Sequence, residues 1–94
     1  MKYEELRESV EILGLGDCAT LDEIKSAYRR LIKKFHPDKT SNSESYKLCI
    51  KLNKAYRTIL SYCKHYKFSF TKEEFYKQYP EERLKEQFFK DPLW

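Results

Sequence analysis

Apolar side chains stand at Tyr3, Leu6, Val10 and Leu13, three or four residues apart. That spacing is one face of a helix and predicts one over residues 2–13. Gly14 and Gly16 follow, and glycine just past the last apolar position is a helix stop. Asp17, Cys18 and Ala19 make a short connection. Thr20 opens a clearer helix, with Glu23 at the spacing of a capping box. Ile24, Ala27, Tyr28, Leu31 and Phe35 fall on one face, and Lys25, Arg29, Arg30, Lys33 and Lys34 on the other. Pro37 ends the helix, because the residue before a proline is pushed out of helical geometry. Residues 38–45 form a polar loop rich in helix-start residues. A third helix then runs from about Ser43 to Cys63, with Cys49, Leu52, Tyr56, Ile59, Leu60 and Cys63 as its apolar positions. Two helices of similar length joined by a short loop are expected to pack as an antiparallel hairpin.

The tail has a different rhythm. Lys67-Phe68-Ser69-Phe70 breaks the helical pattern and reads as extended. Thr71 and Glu74 have the spacing of a second capping box, which opens a short helix to about Tyr79. Pro80 suits a first helical position, giving a last helix over 80–90 that Asp91-Pro92 stops. The expected fold class is therefore all-α: two long antiparallel helices, a short N-terminal helix and a helical C-terminal tail. The chain divides into a domain over 1–66 and an extension over 67–94, the latter too short for an independent core.

Composition narrows the class. Of 94 residues, 40% are hydrophobic and 36% charged, a soluble globular balance rather than a disordered one. Eight Tyr and six Phe supply much of the apolar volume. The net charge of +4 permits nucleic acid, an anionic membrane or an acidic protein patch without choosing among them. Cys18, Cys49 and Cys63 match neither zinc-ligand nor disulfide spacing. They read as reduced thiols in a cytoplasmic protein, with Cys49 and Cys63 as small core groups. The acidic, amphipathic N-terminus is not a signal peptide. No apolar run reaches the roughly 20 residues a bilayer demands, so no membrane role is expected.

The sharpest chemistry lies at the expected hairpin tip. His36 and Asp38 flank Pro37, whose ring fixes the backbone dihedral between them. Both side chains are thus expected on one rigid turn. A carboxylate there can accept a bidentate Arg fork. His36 can contact a partner or brace the turn. Lys25, Arg29 and Lys33 recur every four residues as a cationic stripe, and residues 25–39 carry a net +5 with His36 neutral. His36 with Asp38 has the residue types of a catalytic dyad, but no Ser or Cys nucleophile stands at a motif position and no Gly-rich phosphate loop occurs. No enzymatic activity, metal or cofactor is expected.

These residues carry a family resemblance. Tyr28-Arg29-Arg30-Leu31 followed by Lys33-Lys34-Phe35-His36-Pro37-Asp38-Lys39 resembles helix II and the signature loop of the J-domain (DnaJ-like) family. Asn53-Lys54-Ala55-Tyr56 is similar to its helix III motif, and Glu11-Ile12-Leu13-Gly14-Leu15 to the end of its first helix. The matches run in the family's order across residues 3 to about 63. The resemblance implies a co-chaperone module that binds a DnaK-type chaperone and stimulates its ATP hydrolysis. It implies partner contacts through His36, Pro37, Asp38, Lys25, Arg29, Arg30, Lys33, Lys34, Lys39 and Asn53.

The chain departs from the family after Leu60. The short basic fourth helix is not recognisable, and no Gly/Phe-rich linker, zinc-binding repeat or client-binding domain follows. The chain therefore reads as a J domain with its own tail. Residues 71–94 carry a net −1, with Phe75, Tyr79, Leu84, Phe88 and Phe89 as apolar points. The tail is expected to pack on the same helical core. The sharper alternative is a docking element for a client or sister protein. Two other functions compete with chaperone stimulation: a basic hairpin binding nucleic acid, against which Asp38 argues because it would repel phosphate, and a degenerate J-like scaffold, against which the intact His36-Pro37-Asp38 argues.

Overall fold

Five helices and no strand make up the described part of a computed structural model, which covers residues 1–36 and 43–90. The expected loop over 38–45 lies outside the described residues up to position 42, and 43–45 are already helical. The helices are α1 (Tyr3–Ile12), α2 (Leu21–Phe35), α3 (Ser43–Lys64), α4 (Lys72–Gln78) and α5 (Pro80–Lys90). The all-α class read from the sequence is the class observed.

Local chemistry explains the helix ends. α1 begins without a side-chain cap, but Glu4 and Glu5 in its first turn complement the positive end of the helix. Its C-terminus closes as a Schellman motif. Gly14 N–H donates to the Glu11 carbonyl at 3.0 Å, and Leu15 N–H to the Val10 carbonyl at 3.0 Å. Gly14 has φ of 68°, a conformation glycine adopts without the penalty a side chain brings. A Cβ placed there would meet nothing within 4 Å, so a substitution is opposed by backbone strain alone. Gly14→Ala is expected to destabilise the protein by about 1 kcal/mol, a fall of roughly 4–8 °C in melting temperature for a domain of this size. An unshifted melt would show that the turn tolerates a side chain.

α2 starts with a complete capping box. Glu23 N–H donates to Thr20 Oγ1 at 3.1 Å, and Thr20 N–H donates to Glu23 Oε1 at 3.0 Å. The Thr20 backbone donor, with a smaller effect from its side chain, holds the Glu23 carboxyl below its usual range. The folded-state value is lowered, so the bond is present at neutral pH and is lost as pH falls through the carboxylate range.

The second expected box, at Thr71, is half formed. Thr71 accepts from Glu74 N–H at 3.2 Å. The return bond is replaced, since Thr71 N–H donates to Ser69 Oγ at 3.4 Å while Glu74 Oε1 accepts from Gln78 Nε2.

The core is built on α3, with α1 and α2 both packed against it. Leu13, Ile24, Leu52, Ala55 and Ile59 form a buried cluster, ringed by Leu6, Val10, Leu31, Phe35, Tyr56 and others. Leu13 and Leu52 are its most enclosed large side chains. Two expectations shift. Tyr3, read as part of the apolar face of α1, is 69% exposed. It sits at the first residue of the helix. Ser9 is buried instead, made tolerable because its hydroxyl donates to the Glu5 carbonyl at 2.8 Å.

The tail differs more. It was expected to pack on the same core, yet no residue from 67–90 belongs to the core cluster. α4 and α5 pack on each other instead, joined by Lys72 Nζ to Glu86 Oε1 at 2.8 Å. Residues 66–70 are non-helical and carry the chain off the end of α3. The described residues extend over 68 × 28 × 16 Å.

Candidate functional site

The candidate site is the outer face of α2 and the His36-Pro37-Asp38 sequence at its end. Arg29, Arg30, Lys33 and Lys34 are exposed, and Lys25 is half-buried. Helical spacing puts Arg29 and Lys33 opposite Ile24, which is buried, while Arg30 and Lys34 flank the side on which Ala27 is buried. Arg29 Nη2 donates to Ser26 Oγ at 3.4 Å, and Lys34 Nζ lies 5.3 Å from the Phe35 ring centroid. Among the described residues none of the five basic side chains forms an ion pair. Their field is therefore directed outward. Lys33 and Lys34 also lie in the last turn of α2, where positive charge is favoured by the helix dipole.

His36 closes α2 with φ of −62° and ψ of 133° and is exposed. That extended conformation is the one favoured for a residue preceding proline. Pro37, Asp38 and Lys39 lie outside the described residues.

Two ties to α3 fix this face. Cys49 Sγ donates to the Phe35 carbonyl at 3.0 Å, occupying one of the last carbonyls of α2, which has no partner within its own helix. Cys49 had been read from sequence only as a small apolar group; its burial was legible, its donor role was not, because the acceptor is 14 residues away. The second tie is aromatic. Tyr28 and Tyr56 stack with centroids 4.0 Å apart and planes 6° apart, and the Tyr28 hydroxyl donates to Asn53 Oδ1. Asn53, expected to contact a partner, is half-buried in the α2–α3 seam. The signal for that placement was its position three residues before Tyr56, which puts both on one side of α3. Tyr28, Asn53 and Tyr56 near the middle of α2, with Phe35 and Cys49 at its end, hold the basic face and the exit at His36 in one orientation.

Among the described residues no group of three or more His, Cys, Asp or Glu is placed to hold a metal ion. No helix among them is long and apolar enough to cross a membrane.

Comparison with known proteins agrees with the motif reading. The DnaJ domain family model matches residues 9–67. Chaperone protein DnaJ of Prosthecochloris aestuarii is 48% identical over 54 residues, covering 56% of this chain and 14% of the relative. The proteins of the same name from Bacillus licheniformis and Dictyoglomus thermophilum are 42% and 40% identical over 53 residues, with the same coverage. The chain thus spans 14% of the length of these relatives. No solved structure matches it significantly. With the matched span enclosing α2, α3 and the His36-Pro37-Asp38 sequence between them, the chain belongs to the DnaJ-domain family.

Proposed function

We propose that this chain is a co-chaperone module that docks on a DnaK-type chaperone and stimulates its ATP hydrolysis. Docking uses the basic face of α2 and the His36-Pro37-Asp38 motif. The observation that carries the reading is the set of exposed cations Arg29, Arg30, Lys33 and Lys34, unpaired within the described residues and leading directly to His36. An acidic surface on the chaperone would complement them. Such charge pairing sets orientation and association rate more than affinity. The Asp38 carboxylate then supplies a directional acceptor for a cationic donor on the chaperone. The module performs no chemistry on a substrate of its own; it changes the rate at which its partner hydrolyses ATP.

The test is single-turnover ATP hydrolysis by a DnaK-type chaperone with and without the chain. Acceleration is expected, and none across several such chaperones would overturn the reading. The electrostatic part has its own signature. Reversing charge at Arg29 and Lys33 together should weaken association more at low salt than at high salt, because the screening length shrinks from about 30 Å at 0.01 M to about 8 Å at 0.15 M. Titration of chaperone binding against ionic strength reads this out. A loss independent of salt would assign these residues a packing role.

A further inference from the structure

We propose that the outer face of α3 and the segment just after it bind single-stranded nucleic acid, with cations holding phosphates and exposed aromatic rings stacking on bases. The proposal goes beyond chaperone docking and does not depend on it. The surface is distinct from the basic arm of α2, whose reading as a nucleic-acid site Asp38 opposes.

The chain changes character after Glu44. Residues 45–70 contain Lys47, Lys51, Lys54, Arg57, Lys64 and Lys67 and no Asp or Glu. The segment therefore carries a net +6 with His65 neutral, more than the +4 of the whole chain. The same stretch holds six Tyr or Phe. All six cations are exposed, and among the described residues none of them forms an ion pair.

α3 turns Cys49, Leu52, Ala55 and Ile59 into the protein. Helical spacing places Lys47, Lys54 and Arg57 on the opposite side, a row of about 15 Å along the axis. Glu5 and Glu8 of α1 share a cleft with Lys51 and Lys54 and repel phosphate there. The strand is therefore assigned to Lys47, Arg57 and Lys64, which do not line that cleft. Three aromatic rings stand at the end of α3. The ring centroids of Tyr62 and Tyr66 are 5.8 Å apart, and those of Tyr66 and Phe68 5.7 Å. The rings thus form one contiguous cluster, with Lys64 and Lys67 interleaved in sequence. Tyr62, Tyr66 and Phe68 are 44%, 54% and 69% exposed and take no part in the core.

Cations and rings together select the partner. A row of cations attracts any polyanion. Unpaired bases add flat faces that stack on aromatic side chains. An acidic protein surface would engage the cations and leave the rings uncovered. An anionic membrane takes up a helix through a free apolar face, and the apolar face of α3 is buried. Bases in a duplex are stacked on one another, so a single strand is the occupant that uses both features.

Fluorescence anisotropy of a labelled oligouridylate of about 12 nucleotides, titrated with the full chain, tests this. Binding is expected, with log K falling against log salt by about 0.7 for each phosphate contacted. Lys47→Gln combined with Arg57→Gln should lower that slope by about 1.4. Tyr66→Ala and, separately, Phe68→Ala should each weaken binding roughly tenfold and leave the slope unchanged. None of these four residues belongs to the core, so the melt of α1–α3 should be retained, which separates lost binding from lost folding. A duplex of the same length should bind more weakly. Absence of binding at low salt would overturn the proposal. Binding that both aromatic substitutions leave unchanged would overturn it too, since phosphate charge alone gives that result. Binding to phosphatidylserine vesicles without binding to the oligonucleotide would assign the surface to a membrane instead.

Discussion

Asp38→Asn is expected to reduce chaperone stimulation roughly tenfold or more while leaving the melting temperature near that of the parent. The substitution keeps the side-chain shape and removes its charge. A hydrogen bond to a charged group contributes about 1.5–3 kcal/mol, and each 1.4 kcal/mol is a factor of ten. The core of the described residues consists of Leu13, Ile24, Leu52, Ala55 and Ile59, and the substitution changes none of them. Single-turnover hydrolysis paired with a thermal melt checks both halves. His36→Gln should behave alike, since His36 is exposed at the end of α2 and contributes nothing to the core. The same Asn substitution discriminates against a nucleic-acid function. There it would delete a negative charge beside Lys34 and Lys39 and tighten binding to DNA or RNA slightly. Full stimulation by Asp38→Asn would remove the carboxylate from the mechanism.

The second large effect is on stability. Leu52→Ala should cost about 2–5 kcal/mol, the range for truncating a buried leucine. Leu52 is 2% exposed at the centre of α3, within the cluster that holds α1 and α2 together. The stability of a small domain is only about 5 kcal/mol at the lower end, and the tail adds nothing to this core. The variant is therefore expected to be substantially unfolded at physiological temperature, with stimulation lost in proportion to the unfolded fraction. Urea denaturation followed by circular dichroism measures it. A midpoint equal to the parent's would mean that α3 packs through a different face.

These two outcomes separate function from fold because the proposed docking uses the exposed side of a helix whose other side anchors it in the core. α2 buries Ile24 and Ala27 against α3 and exposes Arg29, Arg30, Lys33 and Lys34. One amphipathic segment anchors the domain and presents its charge. The cross-helix ties Tyr28–Asn53 and Cys49–Phe35 convert that anchoring into a fixed orientation, which is what a partner contact needs in order to avoid an entropic loss on binding.

By itself the sequence determined whatever depends on residues three or four apart. The apolar spacing of α2 and α3, the capping box of Thr20 with Glu23, the Gly14 stop, Pro80 at the head of α5, and the order of the J-domain motifs are all short-range facts. Their physics is local hydrogen bonding and helical periodicity. Only the tertiary structure decided matters that depend on distant surfaces meeting. Tyr3 belongs to the apolar pattern of α1 but stands at its first residue and is exposed. Asn53 reads as a surface motif residue, yet it takes the Tyr28 hydroxyl from 25 positions away. The Thr71 box half fails because Ser69 competes for its donor. The tail has apolar points suited to a core, but the non-helical stretch after α3 and the Lys72–Glu86 pair set α4 and α5 against each other. Periodicity states which face of a helix is apolar; which surface covers that face depends on the path of the chain between helices, and that path is not periodic.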